Sequence, residues 1–238
     1  MKTQSRSIEQ LVEEQLKRWH AQRAKRRESQ AKPGPVITVS RETGTGGSEV
    51  ARRLAQKLGM DLMGGQIIQK VAESVQMSTK VIESLDEREI TKRDEWLSAL
   101  FGSRHLWSDQ YFHHLTKVIG TIGRHGSAVV VGRGAHHILP QEDTYRVRFI
   151  APLDFRIEHM IAEHSLCREE AEKFILQTDA DRRAFIRKYF HVDITEPGQY
   201  DLILNLATLS IDGAVDTIKV ALDSRRVGRT SSQRRLTP

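Results

Sequence analysis

The sequence lacks several features that define large classes of protein. Its 238 residues contain one cysteine, Cys167, which excludes an internal disulfide framework and is typical of a reducing compartment. No apolar run approaches the roughly 20 residues of a membrane-spanning helix. The first ten residues, MKTQSRSIEQ, contain no apolar signal core. We therefore predict a soluble, cytoplasmic protein with no membrane partner.

Metal and nucleophile motifs are also missing. The ten histidines include no two-histidine zinc helix motif, and two pairs of them are adjacent in sequence, His113-His114 and His136-His137. Adjacent side chains point apart on a helix or strand, so these pairs predict no transition-metal site. No Ser-His-Asp nucleophile pattern is visible.

Acidic residues are scarce at both ends of the chain. Residues 1–35 carry nine Lys or Arg against four Asp or Glu, and residues 224–238 carry five Arg and no acid. The stated net charge of +6 then leaves residues 36–223 at −4, which argues against a large basic groove for nucleic acid. We predict three parts: a basic N-terminal helix and linker (1–35), a domain (36–223) and a basic, disordered tail (224–238).

The N-terminal segment predicts an amphipathic helix over residues 7–28. Its apolar stripe consists of Ile8, Leu11, Val12, Leu16 and Trp19, and KPGP at 32–35 ends the segment. Such a stripe must be buried. It packs on the body of the chain, pairs with a second copy in a homodimer, or binds another partner.

Between residues 36 and 222, strand patterns alternate with helical patterns, which predicts an α/β fold with a mostly parallel sheet. Its first unit is VITVSRETGTGGSEVARRLAQKLG, residues 36–59. This order of strand, glycine-rich loop and helix aims backbone N–H groups and a helix N-terminus at a phosphate.

The glycine loop departs from the standard phosphate-loop pattern, G-x-x-x-x-G-K-[ST]. Arg41 stands at the first glycine, Gly46 matches the second, Gly47 replaces the lysine, and Ser48 fills the hydroxyl position. The lysine normally places a positive charge between the terminal phosphates. Arg41 is the nearest cation and is placed to supply that charge. The alternative is a plain helix start, with Ser48 as N-cap and Arg41 solvated.

Further arginines follow downstream. Arg133 lies between two glycines after the apolar run AVVV, and loops at the carboxyl ends of parallel strands surround the ligand, so we expect it beside the glycine loop. Its alternative is a surface turn. Residues 178–190, TDADRRAFIRKYF, hold Arg182, Arg183 and Arg187, with Asp179 spaced to pair with Arg183. This segment is either a solvated helix or a lid whose arginines neutralise phosphate oxygens.

The order of these segments resembles the cytidylate kinase-like family, relatives of cytidylate kinase among the P-loop nucleoside monophosphate kinases. The resemblance is carried by residues 37–59, ESLDE (83–87), VVVGRGAHHIL (129–139), RVRFIAPLDFRIEHM (146–160), DADRRAFIRKYFHVDI (179–194) and YDLILN (200–205). It implies a three-layer α/β/α P-loop fold with helical acceptor-binding and lid insertions, to which this chain adds an N-terminal helix.

The resemblance also implies phosphoryl transfer from ATP, with Mg²⁺, to CMP, dCMP or a similar acceptor. Ser48 would also hold the metal, and Arg133 and Asp179 would contact the acceptor. The implied catalytic residues are Arg41, Arg133, Arg182, Arg183 and Arg187. The implied donor-binding residues are Thr43, Gly44, Thr45, Gly46, Gly47, Ser48 and Glu49.

Three places depart from the family pattern. Gly47 replaces the lysine, and Gly134 replaces the acidic residue that follows the glycine-arginine pair of cytidylate kinases. Gly64-Gly65 stand where the resemblance implies polar side chains at the entry to the acceptor site. An alternative therefore stays open: a nucleotide-binding or regulatory protein with little or no turnover on the same fold. A third is an interaction protein that docks through its N-terminal helix. The acceptor base and the oligomeric state are left open.

Overall fold

The computed structural model describes residues 7–29, 33–85, 91–94 and 110–234. Parts of the predicted N-terminal segment (1–6 and 30–32) and of the predicted tail (235–238) lie outside these residues. Five parallel strands form one sheet in the order β2-β3-β1-β4-β5, with helices around it, which confirms the predicted α/β P-loop fold. The strands are β1 (Val36–Arg41), β2 (Asp61–Met63), β3 (Ala128–Val131), β4 (Thr144–Ile150) and β5 (Leu202–Asn205).

None of the described helices is both long and apolar enough to cross a membrane. The helices are α1 (Ile8–Ser29), α2 (Gly47–Leu58), α3 (Gly65–Glu73), α4 (Val75–Ile82), α5 (Gln110–His125), α6 (Ala135–Ile138), α7 (Leu153–His164), α8 (Arg168–Phe190) and α9 (Ile211–Arg234).

The chain divides into two compact units, each built from two stretches of sequence. The first consists of Met1–Val36 and Met60–Thr144, and the second of Ile37–Gly59 and Tyr145–Pro238. The predicted domain of residues 36–223 thus contributes to both units, and the N-terminal helix belongs to the first.

In the first unit, β2 pairs with β3 in parallel, and Asp61 lies opposite Ala128. Helix α3 packs against α5, and their apolar faces bury Ile68, Leu115 and Ile119. This burial follows from the three- and four-residue spacing of apolar side chains on both helices.

Helix α1 packs on α4 within the same unit. Val12 and Trp19 of its apolar stripe are buried, and the Trp19 ring stacks on His125 with centroids 4.2 Å apart and planes 11° apart. The side-chain amide of Gln15 donates to Asp61 Oδ2 at 2.6 Å. Part of the stripe is therefore buried on the body of the chain, one of the three predicted arrangements.

In the second unit, β4 and β5 pair in parallel from Val147 opposite Leu202 to Ile150 opposite Asn205. Helix α9 packs on α2, where Arg53 donates to Asp212 at 2.8 Å.

The backbone of α9 continues to Arg234 and so enters the segment predicted as a disordered tail. Residues 224–234 contain no proline and one glycine, so little in that stretch terminates a helix.

Candidate active site

The glycine loop connects β1 to α2 in the second unit and has a tightly packed backbone. Gly44 and Gly46 have φ angles of +81° and +76°, which side chains with a Cβ rarely adopt. A Cβ on Gly44 would also lie 2.7 Å from the carbonyl oxygen of Arg156 on α7. Both the backbone angle and the close approach therefore require glycine at position 44.

The loop presents a set of unused backbone donors. The N–H groups of Gly44, Thr45, Gly46 and Ser48 donate to no acceptor among the described residues. They lie at the N-terminus of α2, where the helix dipole favours an anion. The loop thus fits a phosphate group through its own backbone.

Ser48 lies in the first turn of α2, and its exposed side chain forms no hydrogen bond among the described residues. The N-cap of α2 is Gly46, so Ser48 does not have the capping role of the alternative interpretation. A hydroxyl in this position fits Mg²⁺, which takes only one or two ligands from the protein and completes its shell with phosphate oxygens and water. No group of three or more His, Cys, Asp or Glu side chains within the described ranges is arranged to hold a metal ion.

The packing around Gly47 leaves no room for the lysine of the standard phosphate-loop pattern. A Cβ on Gly47 would lie 2.6 Å from Cδ2 of Phe149 and 3.1 Å from Cβ of Arg41. Phe149 is fully buried on β4. Its ring therefore fills the space that the start of a lysine side chain would need, and the Arg41 side chain begins beside the same point.

Asp179 on α8 holds the first part of the loop. Its Oδ1 accepts hydrogen bonds from Thr43 N at 3.0 Å and Thr43 Oγ1 at 2.7 Å. Its Oδ2 accepts from Arg156 Nη1 at 2.6 Å. Among the described residues, the charged partners of Asp179 are Arg156 and Arg182. The helical spacing had predicted Arg183 instead. The carboxylate therefore ties the loop to two helices.

Arg182 is part of the same cluster. Its Nη1 donates to the carbonyl oxygen of Arg41 at 3.0 Å and to Thr43 Oγ1 at 2.9 Å. Arg183 and Arg187 lie on the exposed face of α8, and Arg187 Nη2 is 3.7 Å from Asp193 Oδ2. Hydrogen bonds from Thr195 lower the pKa of Asp193, and the charges of Arg187 and Arg183 contribute further. The structure thus brings one of the three predicted lid arginines to the loop backbone.

A role for Asp179 in holding the loop leads to a stability prediction. We expect Asp179→Ala to lower the free energy of unfolding by about 1.5 kcal/mol, because Thr43 and Arg156 lose a charged acceptor. Asp181→Ala is the matched control, since Asp181 is exposed on the same helix and accepts a hydrogen bond from Gln177. Urea denaturation measures both variants, and equal effects would contradict the role of Asp179.

Glu42 is a member of the site that the sequence analysis missed. Its carboxylate accepts from the backbone N–H of Ala151 at 3.2 Å and lies 3.6 Å from Arg148 and 3.8 Å from Arg156. Arg148 is buried and donates to Ser40 Oγ at 3.0 Å. The signal in the sequence was Arg148, which stands between the apolar residues Val147 and Phe149 of a predicted strand, because a buried charge needs a partner.

Glu49, predicted to bind the donor, is engaged within α2. Arg52 and Arg53 donate to its carboxylate and lower its pKa to about 2. An anion in the first turn stabilises the helix but repels a phosphate. Among the predicted donor-binding residues, the backbone N–H groups are therefore better suited to the phosphates than this carboxylate.

A cavity of about 370 Å³ opens beside the loop in the second unit. Its walls include Thr45, Gly46 and residues 206–211, which follow β5. Phe155 and His159 of α7 complete the lining, with ring centroids 6.3 Å apart. The cavity has the size and aromatic lining of a nucleobase site, and no local pattern in the sequence predicted it.

Arg133 lies in the first unit, directly after β3 as predicted. Gly132, Arg133 and Gly134 have φ angles of +79°, +54° and +66°. A left-handed conformation costs a non-glycine residue about 1–2 kcal/mol and recurs at functional sites. The φ angle of +66° also favours glycine at position 134, where the resemblance implies an acidic residue. Arg133 Nε donates to Gly65 O at 3.3 Å, and Nη2 donates to Gln69 Oε1, so the guanidinium lies on the first turns of α3.

Comparison with known proteins agrees with this geometry. The profile of the cytidylate kinase-like family matches residues 36–208, most of the chain and all five strands. The chain belongs to the cytidylate kinase-like family. It is 25% identical over 186 residues to a cytidylate kinase from Ignicoccus hospitalis, covering 77% of this chain and 96% of the relative. A cytidylate kinase from Natronomonas pharaonis is 27% identical over 191 residues, covering 79% and 90%.

A solved structure supports the fold alone. An uncharacterized protein from Eubacterium ventriosum matches with a TM-score of 0.63 and 20% identity, covering 80% of this chain and 98% of that protein. The present chain therefore shares its fold with that protein, and its Gly47 packs on Phe149 where a P-loop lysine would stand.

Proposed function

We propose that the protein is a cytoplasmic nucleoside monophosphate kinase that transfers a phosphoryl group from ATP, with Mg²⁺, to CMP, dCMP or a similar acceptor. The observation that carries the proposal is the glycine loop, which Asp179 and Arg182 hold in place. Four of its backbone N–H groups donate to no acceptor in the part of the chain that the structure describes. Family membership supports the reaction class, and the relatives that are named cytidylate kinases support the acceptor.

On the donor side, each residue has a role that follows from its position. The loop N–H groups bind the donor phosphates, Ser48 contributes its hydroxyl to the metal, and the cavity lined by Phe155 and His159 takes the base. When bound, Mg²⁺ neutralises charge on the transferring phosphates. Arg41 supplies the cation that the missing lysine would supply, because its side chain begins 3.1 Å from the Cβ position of residue 47.

On the acceptor side, Arg133 binds the phosphate of the monophosphate, since a guanidinium matches phosphate oxygens in a planar, bidentate way. Arg183 and Arg187 are exposed and complete the charge neutralisation as lid residues. Asp179 is proposed to recognise the acceptor only indirectly, through the loop, because its oxygens are bonded to Thr43 and Arg156.

Two observations favour a second candidate function. The Phe149 ring excludes a lysine side chain at position 47, and Gly134 replaces the acid next to Arg133. A protein with these two features that binds nucleotide without turnover would serve as a nucleotide sensor on a kinase fold.

The test is a coupled ADP-release assay with ATP, Mg²⁺ and a panel of nucleoside and deoxynucleoside monophosphates. We expect turnover only with the correct acceptor and at least a 100-fold loss in Arg133→Ala, because the acceptor phosphate loses its charged contact. Lys80→Ala is the control, since Lys80 is exposed on α4 in the same unit. ATP binding by calorimetry without turnover would select the sensor, and absence of ATP binding would contradict both functions.

A further inference from the structure

His159 on α7 lies beside the glycine loop in the second unit. A Cβ on Gly46 would be 3.4 Å from its Nε2 atom and 3.7 Å from its Cε1 atom, so this edge of the imidazole faces the loop. The side chain is 28% exposed and lines the 370 Å³ cavity. Within the described ranges, Nε2 forms no hydrogen bond and keeps accessible surface. A ligand bound at the loop can therefore reach it.

The other ring nitrogen of His159 faces an acidic side chain. Nδ1 is buried, forms no hydrogen bond and lies 3.4 Å from Oε2 of Glu163, one turn further along α7. The same carboxylate oxygen is 3.8 Å from Nε2 of His164, which is exposed. No other residue in the lining of the cavity, from the glycine loop to the segment 206–211, is titratable. Glu163 and, behind it, His164 are thus the charged groups that the described contacts place next to His159.

These contacts decide which form of the ring can bind a phosphate. A carboxylate beside a ring nitrogen favours a proton on that nitrogen, here Nδ1. A neutral imidazole with its proton on Nδ1 has a bare Nε2, which accepts hydrogen bonds and repels phosphate oxygens. The imidazolium, with a proton on each nitrogen, donates from Nε2. A phosphate at the loop would place a second anion against the ring and so favour uptake of that proton.

We propose that His159 binds a donor phosphate as an imidazolium, with Glu163 as its counterion, so that donor binding takes up a proton. This inference rests on the proposed function, because that function assigns the loop to the phosphates of ATP. His159 would add a second positive charge, beside that of Arg41, to a loop without the P-loop lysine. The base would occupy the rest of the cavity, against Phe155.

Calorimetry of the full chain with ATP and Mg²⁺, in HEPES and in Tris, counts the protons taken up, because the two buffers differ in their heat of ionisation. We expect uptake of about 0.5–1 proton near pH 7.5, and an affinity roughly tenfold higher at pH 6 than at pH 8. His159→Gln should lose both effects, and comparison with it removes any proton that ATP itself exchanges. His164→Gln removes the exposed imidazole on the other side of Glu163 and should keep both effects.

Two further variants separate charge from protonation. A guanidinium is charged throughout this pH range, so His159→Arg should bind ATP at pH 8 about as tightly as the unmodified chain does at pH 6, without proton uptake. Glu163→Gln keeps the shape of the side chain and removes the counterion. The rise in affinity should then move to lower pH, and an unmoved rise would contradict the role of Glu163.

Tripolyphosphate and adenosine distinguish a phosphate contact from a base contact. Tripolyphosphate should show the same proton uptake as ATP, and adenosine should show none. The inference alone is overturned by ATP binding without uptake, by uptake that survives in His159→Gln, or by uptake with ATP but not with tripolyphosphate. Each of these results leaves the proposed kinase function intact. Failure of both ATP and tripolyphosphate to bind would overturn the inference and the proposed function together.

Discussion

Gly47→Ala is expected to lower the free energy of unfolding by roughly 2–3 kcal/mol, because the added methyl group would lie 2.6 Å from the buried ring of Phe149. Gly64→Ala is the matched control. Gly64 also has an ordinary φ, −71°, and a Cβ there meets no atom within 4 Å, so its substitution should change stability by less than about 0.5 kcal/mol. Urea denaturation of the two variants separates the cost of the clash with Phe149 from the effect that replacing a glycine has on the backbone.

A double-mutant cycle tests whether the Phe149 ring causes the loss of stability in Gly47→Ala. In a Phe149→Leu background, where the ring is gone, Gly47→Ala should cost at least about 1 kcal/mol less than in the unmodified chain. Equal costs in both backgrounds would show that Phe149 is not the obstacle. Because a lysine begins with the same Cβ, Gly47→Lys should destabilise the fold and not improve turnover.

Arg41→Ala is expected to lower kcat by about a thousandfold, because this arginine replaces the cation that a P-loop lysine supplies to the phosphates. The Arg41 carbonyl oxygen, which accepts from Arg182, is part of the backbone and survives the substitution. Loss of activity would therefore report on the guanidinium. Single-turnover kinetics with ATP and the preferred acceptor measures the effect on the chemical step.

Two control variants test whether the loss of activity in Arg41→Ala is specific to the guanidinium of Arg41. Arg41→Lys keeps a positive charge and should retain about a tenth of the rate, since the planar guanidinium is lost but the charge is kept. Arg168→Ala removes an exposed arginine that pairs with Asp154 and Glu158, and it should leave kcat unchanged. Full activity of a folded Arg41→Ala variant would refute the replacement of lysine by Arg41.

The strand, glycine loop and helix at residues 36–59 were predictable from the sequence because their signals are local. Apolar spacing marks β1 and α2, and glycines mark the turn between them. The position of Arg133 after β3 was predictable for the same reason, since an apolar run and two flanking glycines identify a strand end.

The contacts of Asp179 were not predictable. Spacing along a helix suggests a partner four residues away, Arg183, whereas the carboxylate bonds to Thr43, 136 residues away in sequence. Helical periodicity correctly places Arg183 and Arg187 on one face and Arg182 on another. Which face meets the loop depends on how α8 docks in the second unit, and that information is spread over the whole chain.

The discontinuity of the second unit has a consequence for biosynthesis. Arg53 of α2 and its partner Asp212 of α9 are 159 residues apart in sequence. At about 5–20 residues per second, a ribosome needs roughly 8–30 s to make that stretch. Helix α2 is thus synthesised long before the helix that packs on it. A nascent chain stalled before residue 211 would leave the surface of α2 that α9 covers exposed, available to chaperones or to aggregation.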